Sequence, residues 1–205
     1  MTSLFTYDQG AHFISCLELA DQNLRRKYKD EANVRWIVIS LHDALYTLLI
    51  QKLTRTDGFG IYNDKFEKRV GEFYEKQLSS KSAEFHQLME QAQNENIASI
   101  VELLKRANLA SKAQIRTRNI EDLPRPSRGL SRLKSIRNFF SHPAPMLAGY
   151  YSDWLLDAIS DTVSVIDEVR NLPGKTAARH DTHEADLLLK FIAFYLFRWR
   201  SDAEQ

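Results

Sequence analysis

Arg137, Asn138 and His142 are the residues of this chain whose types and spacing best fit chemistry. An arginine supplies a permanent positive charge on a planar fork of donors, suited to a phosphate or a carboxylate. A histidine titrates near neutrality and can take up or release a proton. An asparagine can orient either an anion or an imidazole. With no carboxylate among them, the three offer proton transfer and charge stabilisation rather than a metal-ligand set. Helical periodicity puts Leu133, Ile136 and Phe140 on one apolar stripe, and Arg137 falls on that stripe, four residues after Leu133 and three before Phe140. A guanidinium there is either paired inside the core or presented at an interface. In an unbroken helix His142 would point about 140° away from Arg137. Pro143 follows, however, and a residue before proline is pushed out of the helical region. The spacing therefore predicts a helix over Ser127–Ser141 that ends before Pro143, freeing His142 to swing back toward Arg137 and Asn138. The plainer reading is a helix-end histidine bonded to a backbone carbonyl, with Arg137 in a structural ion pair.

The run Arg137-Asn138-Phe139-Phe140-Ser141-His142 resembles the R-x4-6-H signature of the HEPN superfamily (higher eukaryotes and prokaryotes nucleotide-binding). The polar residue directly after the arginine is part of that pattern. The motif covers six residues; the wider resemblance is architectural. It implies an all-α bundle that usually dimerises with the two motifs facing each other. It also implies a metal-independent ribonuclease without cofactor, of the kind found in bacterial toxin–antitoxin, abortive-infection and other defence systems, with an antitoxin protein as partner. In that reading His142 takes the 2′-hydroxyl proton of RNA and Arg137 stabilises the phosphorane, while Asn138 orients the phosphate or the imidazole. Two alternatives stand beside it: a non-catalytic HEPN-like module that binds nucleotide, RNA or protein, and a structural helical protein in which the Arg/His pair is coincidence.

Charge near the motif favours an anionic ligand. Between Lys105 and Arg137 ten basic residues face only Glu121 and Asp122, whereas the whole chain carries a net charge of +1. Arg116, Arg118, Arg125, Arg128, Arg132 and Lys134 are therefore candidate RNA contacts. A solvated basic loop and helix face is the alternative. His42 and Asp43 border an apolar stripe and would line the cleft if their helix packs on the motif helix; a satisfied boundary histidine is the simpler account. His180, Asp181, His183, Glu184 and Asp186 are metal-type residues, but no recognised spacing fixes a third or fourth ligand. Asp181 with Glu184 reads instead as a capping box. P-loop, G-x-G-x-x-G, G-x-S-x-G and H-E-x-x-H motifs are absent.

The elements that must position these residues are helices. A chain of 205 residues, 43% hydrophobic and 27% charged, is long enough for one domain (1–205) with a substantial core. Only seven glycines and five prolines punctuate it, as expected of long helices with few turns. The single Cys16 excludes an intrachain disulfide and suits a reducing cytoplasm. The first residues lack the basic flank and apolar run of a signal peptide. Periodicity predicts helices over about Asp8–Tyr28 and Glu31–Leu53, the second so apolar all round that it should be central or shared with a second subunit. The segment Thr54–Gly60 breaks it. Residues 63–107 read as two or three shorter helices, the first capped by Asp64 with Glu67, and look like an insertion before the motif helix. A long arginine-rich connection precedes that helix. Helices over Tyr151–Arg170 and Asp181–Arg200 follow, the last too short in its apolar run to span a bilayer and expected either in the bundle or at an oligomer surface.

Overall fold

The central element is the helix that is apolar on nearly every side. In the computed structural model, which describes residues 8–26, 32–76, 82–92, 95–109, 127–141, 152–172 and 179–203, this is α2 (Asn33–Leu53), preceded by α1 (Gln9–Arg26). Then come α3 (Asp64–Glu75), α4 (Ala83–Ala92), α5 (Ile100–Arg106), α6 (Ser127–Ser141), α7 (Ser152–Arg170) and α8 (Arg179–Ala203). Among the described residues there is no strand beyond one isolated bridge, so the fold is all-α as expected. No helix among them is long and apolar enough to cross a membrane.

α2 packs against α1, α5, α6 and α7. Ile37, Val38, Leu41, Ala44, Leu45 and Leu49 are fully enclosed, each large aliphatic side chain contributing about 1.5–3 kcal/mol relative to exposure. α1 presents Phe13, Leu17, Ala20 and Leu24 to this core, the face its periodicity predicts. α7 supplies Leu155, Ala158, Ile159, Ile166 and Val169, and α8 supplies Leu189, Ile192, Leu196 and Trp199. Arg170, near the end of α7, ties the two together: its guanidinium donates to Asp186 Oδ1 at 2.5 Å and lies 3.5 Å from Asp167. Along its outer side α8 leaves Leu187, Phe191, Phe194 and Phe197 exposed. α8 already begins at Arg179, so Asp181 is a helical residue and not the cap expected of it.

The expected insertion divides in two. α3 and α4 enclose a small core of their own, Phe66, Val70, Phe73, Leu88 and Ala92 around the fully buried Phe59. α5, by contrast, contributes Val101, Leu103 and Leu104 to the main core. The chain leaves for the satellite and returns side by side: Ala98 N–H donates to Ile61 O at 2.8 Å and Asn63 N–H to Asn96 O at 3.1 Å. Tyr46 on α2 anchors the return strand by donating its hydroxyl to Ala98 O at 3.1 Å. Gly60, at φ +102°, passes so close to Leu53 that a Cβ would meet its carbonyl oxygen at 2.6 Å, which is why glycine stands there. The cap of α3 differs from expectation. Asn63 accepts from Phe66 N–H at 3.0 Å, and Glu67 instead accepts from the loop amides of Gly60 and Tyr62. Asp64 is left outside the cap.

Candidate active site and its basic surroundings

Three contacts set the position of the motif helix α6. Leu130, Leu133 and Ile136 are buried against the core. Gly129 lets α7 approach until a Cβ at that position would lie 2.3 Å from Asp161 Cβ. Arg132, 6% exposed, is 3.7 Å from Asp157 of α7, with its guanidinium 5.0 Å from the centroid of the Trp154 ring. Asp157 also receives Arg200 of α8 at 2.9 Å, so one carboxylate joins three helices. A buried guanidinium needs such partners, because an unpaired one would cost several kcal/mol. Arg132 is therefore a structural residue: its expected place among RNA contacts is corrected by its burial.

With α6 so fixed, its last turns carry the motif. Ser127–Ser141 are helical, as the apolar stripe predicts, and the expected stop before Pro143 lies outside the described residues. Arg137 is half-buried on the same side as Leu133 and Leu130, and no described carboxylate pairs with it. Its polar contact is the long one from Nη1 to Asn138 Oδ1, at 3.5 Å. Asn138 is exposed, and Phe140 packs against the core. The structural ion pair of the plainer reading is thus not made among the described residues, and the guanidinium lies beside an amide. His142 lies outside the described residues, as do Arg116, Arg118 and Arg125.

Of the other expected cations, Arg128 is half-buried near the start of α6, away from the motif end. Lys134 is half-buried one turn before Arg137 and Asn138 and lines a polar cavity of about 400 Å³. Asp64, Ser99, Val101, Glu102, Lys105 and Arg106 form the rest of its wall. Lys105 and Arg106 belong to the basic stretch of the sequence, but only the fold shows that they share a cavity with Lys134. No local signal could have revealed that pairing across almost thirty residues.

His42 and Asp43 form a pair of their own on α2, with Nδ1 3.0 Å from Oδ1. The His42 ring stacks on Tyr46, 6.4 Å between centroids. Although α2 does pack on α6, neither residue bonds to a described residue of the motif helix. Asp43 acts rather on α1: burial, and then its charge, push the Cys16 thiol up to about 11. Cys16 Sγ is also 3.6 Å from His12 Nε2. No group of three or more His, Cys, Asp or Glu among the described residues could hold a metal ion.

No protein-family model matches the chain, and neither a curated protein nor a solved structure is significantly similar to it. The reading of the site therefore rests on its residues and their geometry.

Proposed function

We propose that this chain is a HEPN-like, metal-independent endoribonuclease, and that Arg137, Asn138 and His142 carry the reaction. The observation that carries the proposal is Arg137: a half-buried arginine on the apolar side of its helix, without a carboxylate partner among the described residues, next to Asn138 and five residues before His142 in the sequence. An arginine held so close to the core without a counter-charge among the described residues is suited to an anion supplied from outside the chain.

The chemistry follows from the side chains. His142 accepts the proton of a ribose 2′-hydroxyl, whose oxygen forms a bond to the adjacent phosphorus. The P–O5′ bond then breaks, and the departing 5′ oxygen takes up a proton. The products are a 2′,3′-cyclic phosphate and a 5′-hydroxyl. Arg137 stabilises the charge that builds on the phosphorane oxygens, a role worth about 10²–10³ in rate for one well-placed donor. Asn138 orients the phosphate or the imidazole. None of these residues holds a metal-bound water, and the nucleophile belongs to the substrate.

A two-fold homodimer that brings two Arg137/His142 pairs together, a protein antitoxin and a role in bacterial defence in the cytoplasm are part of the same proposal and rest on the resemblance of the motif. Incubating the purified chain with total RNA in the presence of a chelator tests it. The wild type should fragment the RNA, and His142→Ala and Arg137→Ala should not. Equal fragmentation by all three proteins would refute the assignment.

A further inference from the structure

The polar cavity beside α6 has a charge imbalance that the described residues do not resolve. Three cations line it, Lys105, Arg106 and Lys134, against two carboxylates, Asp64 and Glu102. Both carboxylates are engaged. Asp64 Oδ1 accepts from Arg106 Nη2 at 2.6 Å, and Arg106 Nη1 donates to Gly60 O at 3.1 Å. Glu102 Oε2 accepts from the backbone N–H and the hydroxyl of Ser99, both at 2.9 Å, closing the capping box of α5. No described residue offers an acceptor to the ammonium of Lys105 or of the half-buried Lys134.

Both lysines are held in place. The last turn of α5 is locked by Asn108 at φ +59°, with Leu109 N–H donating to Leu104 O at 2.9 Å and Asn108 N–H to Lys105 O at 3.0 Å. Paired 6→1 and 5→2 bonds of this kind end a helix firmly, so Lys105 projects from a fixed turn. Lys134 is on α6, three residues before Arg137 and four before Asn138. Residues so spaced are neighbours on a helix face, about 5–6 Å apart at Cβ, comparable with the separation of successive phosphates on a nucleic-acid strand.

We infer that the cavity between α5 and α6 is a phosphate subsite, in which Lys105 and Lys134 hold the backbone phosphate next to the one at Arg137 in a single-stranded RNA. The inference rests on the ribonuclease reading of Arg137 and adds to it the path of the strand, which leaves the motif along α6 toward α5. Arg106, spent on Asp64 and Gly60, shapes the cavity rather than binding the phosphate.

The test uses the full chain carrying Arg137→Ala, which should bind RNA without cleaving it. Binding of a labelled single-stranded RNA is followed by fluorescence anisotropy over a salt series, with and without Lys105→Gln/Lys134→Gln. Each phosphate contact on a single strand contributes about 0.7 to the slope of log K against log salt. The double variant empties that one phosphate contact and should therefore lose about 0.7 of slope and about 5-fold in affinity at 0.1 M salt. A control, Lys68→Gln/Lys190→Gln, removes the same charge from exposed positions on α3 and α8 and should leave the slope unchanged. An unaltered slope in the cavity variant, or an equal loss in the control, would overturn the subsite while leaving the nuclease assignment standing. A slope loss confined to the cavity variant, in a chain whose wild type cuts no RNA, would keep the subsite and refute the nuclease. If neither the wild type nor any variant binds or cuts RNA, both fail.

Discussion

Gly129→Ala and Gly71→Ala are the same substitution in two helices, and the structure assigns them opposite signs. At Gly71, in α3, a Cβ would meet nothing within 4 Å. Replacing a helical glycine there should stabilise by about 0.5–1 kcal/mol through helix propensity and a less flexible unfolded chain. At Gly129 the new Cβ would lie 2.3 Å from both Cβ and Oδ2 of Asp161, whereas ordinary contact begins at 3.4 Å. The clash is with an atom attached to the α7 backbone, so α6 and α7 must part by about 1 Å. Overpacking of this kind costs about 1–3 kcal/mol, against an opposing propensity gain of at most about 1 kcal/mol. The net expectation is a loss of about 1–2 kcal/mol, or roughly 3–6 °C in Tm for a chain of this size. Thermal and urea unfolding followed by circular dichroism will measure both variants. Because α6 carries Arg137, Gly129→Ala should also reduce RNA cleavage by on the order of 100-fold, as a misplacement of about 1 Å does at a reacting centre. If Gly129→Ala were as stable as wild type, or if both variants moved the same way, the close approach of α6 and α7 would be wrong.

Arg132→Ala should destabilise by about 1–3 kcal/mol in urea unfolding, because it leaves Asp157 with Arg200 and empties the space over Trp154; Arg132→Met, which keeps the bulk, should lose clearly less. Cys16 has its thiol raised to about 11, so at pH 8 it should react only slowly with a thiol reagent, and fast reaction of the folded chain would contradict its environment. The same shift has a definite sign: the folded chain prefers the protonated thiol, so this contribution is complete below the ordinary thiol value of 9.0 and is lost as the pH rises toward 11. Cys16→Ala should flatten the alkaline fall in stability, as denaturant titrations at pH 8, 9.5 and 10.5 will test.

Sequence and structure agree where a single element decides the matter. The buried face of α6 follows from its stripe, and the central place of α2 follows from its lack of a polar face. They part where the decisive partner is remote in sequence. Asn63 and Asp64 are both cap-type residues, and Asn63 caps α3 while Asp64 pairs with Arg106, a residue of α5. Arg132 looks in sequence like every other cation of the basic stretch. Only Asp157 and Trp154, on α7, make it a buried one. Lys105 and Lys134 meet because the satellite begins and ends at one point, where Ile61 and Ala98 pair, and no spacing rule contains that. Arg137 was legible as a residue on the wrong side of its helix for a solvent-facing cation; that it lacks a carboxylate partner among the described residues emerges only from the packing.

The chemistry of the cut ends tests the central claim most directly. An RNA oligonucleotide should be digested in excess chelator, beside a control with a 2′-deoxy residue at the cleaved position, and the products read by mass spectrometry. Attack by the 2′-hydroxyl, with His142 as base and Arg137 on the phosphorane, predicts a 2′,3′-cyclic phosphate on one fragment, a 5′-hydroxyl on the other and no cut in the control. Fragments bearing 5′-phosphate, or cleavage that disappears with the chelator, would contradict it.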